Sequence, residues 1–182
     1  MIEVKINGLF LTQSQASGVI LKEINGNRTL PIIIGEYEAQ SIALGLENIK
    51  PPRPITHDLT LNLLKILNTK IERVVVTELK NNTYYAVIHV RRNSERYEVD
   101  SRPSDAIALA VREKIPIYVE EEVMEKGAYT PDEMQDVEVD QVDLKEDRLE
   151  KLKKELQEAV ENEEYEKAAR IRDEIKKLES RQ

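Results

Sequence analysis

The stretch VDSRPSDAIALAV, residues 99–111, passes from an extended segment into a helix within a few positions. From Ala106 onward it is almost wholly apolar, which fits a helix buried against a sheet and anchoring the turn before it. Its polar start has two readings. Ser104, or Ser101 if the helix begins at Pro103, caps the helix, and Asp105 in the first turn complements the helix dipole. Asp100 differs because it closes the preceding strand, where no helix dipole satisfies a carboxylate, so that it needs Arg102 or a metal ion as partner. A structural Asp100–Arg102 pair and a functional one both answer that need.

Working outward, ERYEV reads as a strand, and IERVVVTEL and TYYAVIHVRR as two more joined across Asn81-Asn82. IEVKI near the start alternates Ile2, Val4 and Ile6 with Glu3 and Lys5, the period of a half-buried strand. GVILKEI and TLPIII form a hairpin around Asn25-Gly26-Asn27, with Pro31 marking an edge or a strand end. After Gly35 the period changes, and Ala39, Ile42, Ala43 and Leu46 predict a helix over Glu36 to Glu47 with a small-residue face. Pro51, Pro52 and Pro54 then forbid a helix. Thr56 is expected to cap the next one, whose Leu59, Leu63, Ile66 and Leu67 share a face. Beyond residue 111, Pro116 ends the helix and IYV is a last short strand. The fold class expected is α+β (mixed α/β), a single mixed sheet flanked by helices.

From Glu120 to Asp143 the pattern dissolves into acidic, turn-prone residues. The last forty or so residues are helix formers, with Leu149, Leu152, Leu156 and Val160 on one stripe and Ala168, Ile171, Ile175 and Leu178 on a second. These predict a C-terminal antiparallel α-helical hairpin. The expected organisation is thus a domain over 1–125, an acidic linker over 126–143 and the hairpin over 144–182. Such a hairpin has too little core to stand alone, so its stripe meets another copy, the main domain or a partner.

The 182 residues carry a formal net charge of −8, which ordinarily speaks against a nucleic-acid partner. The distribution weakens that objection. Residues 1–119 hold 15 Lys/Arg against 13 Asp/Glu, whereas residues 120–140 hold 1 against 9. The absence of cysteine excludes disulfides, thiolate zinc sites and cysteine nucleophiles. With no apolar run of membrane-spanning length and no leader-like start, a cytoplasmic location without membrane partners is expected. One Phe and no Trp leave no aromatic platform for RNA. Walker, GxGxxG, GxSxG and HExxH motifs are missing as well.

Three blocks, LPIIIGEYEAQSIA, RPITHDLTLNLL and VDSRPSDAIALAVREKIPIYV, in this order and spacing, resemble the bifunctional nuclease domain family. The resemblance covers roughly residues 1 to 125. It implies a compact, often dimeric α/β domain in a family named for cleavage of both RNA and DNA. The tail, RLEKLKKELQEAVENEEYEKAARIRDEIKKLE, is similar to the UVR motif, the helical hairpin of the excision-repair proteins UvrB and UvrC, which binds another protein. Tyr165 stands where Phe is commoner in that motif.

Phosphodiester cleavage suits carboxylates that hold Mg²⁺ or Mn²⁺, which lower the pKa of water and neutralise charge on the attacked and leaving oxygens. Glu38, Asp58, Asp100 and Asp105 are the candidate metal ligands or water-activating groups, at helix starts and strand ends along one rim. His57 beside Asp58 is a candidate base or ligand. Arg102 is a candidate phosphate clamp, with Arg53 and Ser104 as further substrate contacts. Each has a plain alternative: dipole decoration for Glu36 and Glu38, capping for Ser104, a local hydrogen bond for His57, solvation of a loop for Arg53. His89, inside a strand, reads as structural. Two functions follow. One is a metal-assisted nuclease acting on RNA or DNA, with a protein-recruiting hairpin. The other is a non-catalytic dimeric adaptor in a repair or stress-response complex.

Overall fold

The computed structural model describes residues 1–12, 16–130, 140–142 and 171–172. The chain divides into two compact units, Met1–Gln141 and Val142–Gln182. The hairpin expected over 144–182 lies outside the described residues, apart from a helical pair at 171–172.

The first unit is a mixed sheet with helices, as the alternation of periods predicts. Its strands are β1 (Ile2–Leu11), β2 (Ser17–Glu23), β3 (Thr29–Ile34), β4 (Thr69–Lys80), β5 (Thr83–Arg92), β6 (Glu95–Ser101) and β7 (Ile117–Val119). They lie in the order β3-β2-β1-β7-β4-β5-β6, and a short β8 (Asp140–Val142) pairs β1 off this path. The helices are α1 (Glu36–Leu46), α2 (Thr56–Ile66), α3 (Pro103–Glu113) and α4 (Glu121–Gly127).

Two hairpin meanders, β1-β2-β3 and β4-β5-β6, are welded by β7, which runs antiparallel to β1 and parallel to β4. The three-residue strand β7 is therefore the central one, although β8 and not β7 is the last in the sequence, and Ile117 and Val119 are buried where its neighbours meet. Asn81 and Asn82 both take positive φ, 50° and 60°, as a two-residue turn between β4 and β5 requires. In β1 the register shifts between Ile6 and Gly8, and only glycine holds the φ of 135° found there without strain.

Helix α3 buries Ala106, Ile107, Ala108, Leu109 and Ala110. Its small residues permit a close approach to α1, where a Cβ added at Gly45 would stand 2.5 Å from Val111 Cγ2. This contact sets the spacing of the polar side chains described below.

Several local expectations are corrected. Neither Ser101 nor Ser104 caps α3: Arg102 occupies the cap position without a side-chain cap bond and Pro103 opens the helix, so its fixed φ starts the first turn. Ser104 is buried instead. The helix ends before Pro116, at Lys114, whose left-handed φ of 55° lets Ile115 N–H return to the Ala110 carbonyl. Thr56 is the first residue of α2 and not its cap. The Asp58 carboxylate accepts the Ile55 N–H at 3.2 Å, half of a capping box whose other half Ile55, lacking an acceptor, cannot supply. The segment after Glu120 does not dissolve at once: α4 seats Val123 and Met124 in the core, and Tyr129 bridges to Thr29. Its single turn pair of apolar residues among acids was too short for a periodicity to register.

Helix α2 departs most from expectation. It contains no buried residue, and Leu59, Leu63, Ile66 and Leu67, the residues expected to share a face, are exposed, Ile66 at 76%.

Candidate active site

Three helices and one turn bring seven polar side chains into a continuous chain of hydrogen bonds. Glu38 and Ser41 come from α1, His57 and Asp58 from α2, Asp105 and Arg112 from α3, and Arg102 from the turn before α3. Helical spacing explains the assembly. Glu38 and Ser41 stand three apart and Asp105 and Arg112 seven apart, so each pair shares a face, and the close α1–α3 contact sets those faces together.

At the exposed end, Arg102 donates Nε–H to Asp105 Oδ2 at 2.7 Å, Nη2–H to Asp105 Oδ1 at 3.1 Å and Nη1–H to Glu38 Oε1 at 2.9 Å. The Arg102 side chain is nonetheless 65% exposed. Burial pushes the Asp105 carboxyl up, but the hydrogen bonds and charge of Arg102, aided by His57, outweigh it and hold the group below the ordinary aspartate value. Asp105, and then Glu38, push the guanidinium further up in return.

The chain continues inward. His57 Nε2 lies 3.2 Å from Asp105 Oδ1, and its Nδ1 lies 2.8 Å from Ser41 Oγ. Arg112 donates Nη2–H to the same Ser41 Oγ at 3.2 Å, Nε–H to Asp58 Oδ1 at 2.9 Å and Nη1–H to the Ala108 carbonyl at 2.7 Å. Its side chain is 9% exposed, so this is the desolvated end. Carboxylate, imidazole and hydroxyl follow one another here as in a hydrolase triad. Ser41 is only 5% exposed, however, and its oxygen already faces Arg112, so it lies beneath the rim and not where a substrate reaches.

The structure thus brings together Glu38, His57, Asp58, Asp105 and Arg102 and leaves three expected residues aside. Asp100 is exposed on β6 opposite Val87 in the register, and the pair it was expected to form with Arg102 is replaced by Arg102's bonds to Asp105 and Glu38. Arg53 is exposed on the proline loop, and Ser104 is buried. His89 pairs across strands with Glu98 at 3.5 Å, as a structural reading has it.

The four acids proposed as metal ligands do not form one donor set in this arrangement. Glu38 and Asp105 face Arg102, Asp58 faces Arg112, and Asp100 stands apart. Among the described residues, no three His, Asp or Glu side chains converge as ligands would have to. A groove of about 500 Å³ opens beside the buried end of the chain, lined in part by Lys50, Pro51, Pro54, Asp58, Asn62 and Arg112, and does not include His57 or Asp105.

Ser41 and Arg112 are the residues that sequence reasoning missed. The signal was present as polar side chains at helical spacing within otherwise buried faces, since Ser41 sits beside Ile42 and Arg112 four residues after Ala108. A buried polar group needs a partner, so such positions point to one another.

Residues 19–132 match the family profile described as "Bifunctional nuclease domain", and residues 146–181 match that of the "UvrB/uvrC motif". A Mycobacterium tuberculosis protein, named there only as uncharacterized, is 41% identical over 155 residues, which are 84% of this chain and 92% of that protein. "Bifunctional nuclease 1" of Oryza sativa subsp. indica is 30% identical over 56% of this chain and 32% of its own length. "Bifunctional nuclease 2" of Arabidopsis thaliana is 30% identical over 57% of this chain, again 32% of the relative.

Proposed function

This chain belongs to the bifunctional nuclease domain family, and from that premise we propose that its rim hydrolyses phosphodiester bonds of RNA or DNA. The observation that carries the reading is Arg102, exposed yet held by two carboxylates. Three of the five guanidinium N–H groups bind Asp105 and Glu38, which leaves one on each terminal nitrogen for a phosphate oxygen. Asp105, kept ionised beside it, accepts a hydrogen bond from the attacking water and then its proton as the water oxygen bonds to phosphorus; the P–O bond to the leaving sugar oxygen breaks, that oxygen takes a proton from solvent, and Arg102 stabilises charge on the phosphorus oxygens. Asp58 supports Arg112 and does not touch substrate in this scheme. The UvrB/uvrC-type motif serves as the segment that recruits another protein.

Single-stranded RNA and DNA incubated with wild-type protein and with Asp105→Asn test the reading. A loss of about 100-fold in the variant is expected from removing a positioned proton acceptor. Equal rates in the two preparations would point to a contaminating nuclease and overturn it. EDTA and added Mg²⁺ or Mn²⁺ form a further arm. Hydrolysis that requires the cation would mean that Arg102 yields Glu38 and Asp105 to it; hydrolysis that survives EDTA would assign the chemistry to the side chains alone.

The adaptor reading draws on a different observation, the bare apolar stripe of α2. We propose that a second copy covers it, since a two-fold axis lets one stripe cover its own image. Sedimentation of Leu63→Glu with Ile66→Glu should then show a smaller species than wild type. A shared mass would mean that the stripe is not the dimer face.

A further inference from the structure

We infer that Ser41 and Arg112 are positioning residues which hold the neutral His57 ring as its Nε2–H tautomer, with that proton aimed at Asp105. The consequence for hydrolysis rests on the reading of the rim given above; the tautomer itself does not.

Two independent constraints meet at the ring. On one side, Asp105 Oδ1 lies 3.2 Å from Nε2, and the carboxylate also receives two N–H groups from Arg102. A carboxylate in that position is an acceptor only, so a bare Nε2 would set two lone pairs against each other, and Nε2 must carry hydrogen. On the other side, Arg112 has no acceptor atom. Its Nη2–H points at Ser41 Oγ at 3.2 Å, so the serine oxygen accepts there. The single hydroxyl hydrogen of Ser41 is then directed to its shorter contact, His57 Nδ1 at 2.8 Å. A neutral ring has one hydrogen, and both constraints place it on Nε2.

Arg112 is itself fixed by Asp58 Oδ1 and by the Ala108 carbonyl, so the chain of orientation runs from Asp58 through Arg112 and Ser41 to His57 and Asp105. Both ring nitrogens are therefore engaged, and His57 does not present a free lone pair to a water molecule. Its part is to hold Oδ1 of Asp105 in place opposite Arg102, leaving the one remaining lone pair of that carboxylate, on Oδ2, for water. This replaces the direct-base role read from the sequence with one that acts through Asp105.

The chain has two histidines, so long-range proton–nitrogen correlation spectra of ¹⁵N-labelled protein resolve the matter, with His89→Gln identifying the His57 signals. At a pH where the ring is neutral, wild type should show a protonated Nε2 and a bare Nδ1. In Ser41→Ala the Nδ1 signal should move toward that of a nitrogen accepting no hydrogen bond. For hydrolysis, Ser41→Ala should lower kcat about tenfold with KM little changed, and Ser41→Thr, which keeps the hydroxyl, should restore most of it. A protonated Nδ1 in wild type, or an Nδ1 signal unmoved by Ser41→Ala, would overturn the inference even in an active nuclease. The expected tautomer in a protein without hydrolysis would instead uphold the orientation of His57 and sink the hydrolytic reading.

Discussion

Arg102→Gln is expected to slow phosphodiester hydrolysis by about 10²–10³-fold, the usual effect of removing a preorganised group that stabilises transition-state charge, while the fold survives. The second half of that expectation follows from exposure. With 65% of the side chain in solvent, the ion pairs to Glu38 and Asp105 are screened, and pairs of this kind contribute at most about 1 kcal/mol. Arg102 also governs the charge of Asp105. In wild type, burial raises this carboxyl and Arg102 more than reverses it, so the stabilisation that Asp105 gains from its partners is present at neutral pH. It is lost as pH falls through a folded value below that of ordinary aspartate. With glutamine in place of Arg102, burial is opposed by His57 alone, and the carboxyl should protonate at higher pH. A ¹³C titration of the Asp105 carboxyl reads that change directly. An unchanged titration would show that Arg102 does not hold Asp105 in solution, and an unchanged rate would remove Arg102 from the chemistry.

The sequence revealed the elements of the fold more fully than their neighbours. The alternation of IEVKI in β1, the Asn81-Asn82 turn and the 3.6-residue period of α1 each follow from local chemistry, and each has its counterpart in the structure. What local chemistry does not encode is which strand lies beside which. IYV is three residues long, yet it occupies the centre of the sheet, antiparallel to the first residues of β1 and parallel to the middle of β4. The stripe of α2 shows the converse limit. Leu59, Leu63, Ile66 and Leu67 have the spacing of a buried face, but spacing states only that a face is apolar, and the first unit leaves this one uncovered. The candidate site divides in the same manner. Asp105, Arg102, Glu38 and His57 were visible as chemistry-bearing types near helix starts. Asp100 was visible for the same reason and lies elsewhere, because the pairing of β6 with β5 fixes its direction independently of the turn two residues later. Ser41 and Arg112 carry a local signal as polar residues on buried faces, but their partnership follows only from the contact of α1 with α3 at Gly45 and Val111.

Arg112→Met should destabilise the first unit by about 2–3 kcal/mol, between the value of an exposed pair and the 3–5 kcal/mol of a fully buried one whose partner is removed. The intermediate figure reflects geometry: Arg112 is 9% exposed but Asp58 is 29%, so the stranded carboxylate regains some water. Methionine occupies much of the volume of the arginine stem, which keeps lost packing out of the measurement. For a chain of this length the loss corresponds to a fall of roughly 5–10 °C in Tm. The cause can be separated from the size. If the cost comes from an uncompensated Asp58, then adding Asp58→Asn to Arg112→Met should recover part of the lost stability, although Asp58→Asn alone destabilises. Arg112→Lys should fall between, since an ammonium keeps the charge but lacks the planar fork that reaches Asp58, Ala108 and Ser41 together. A Tm within about 1 °C of wild type for Arg112→Met would show that the pair carries no stability. A double variant as unstable as the sum of the two singles would show that Arg112 stabilises through Ser41 and the Ala108 carbonyl and not through Asp58.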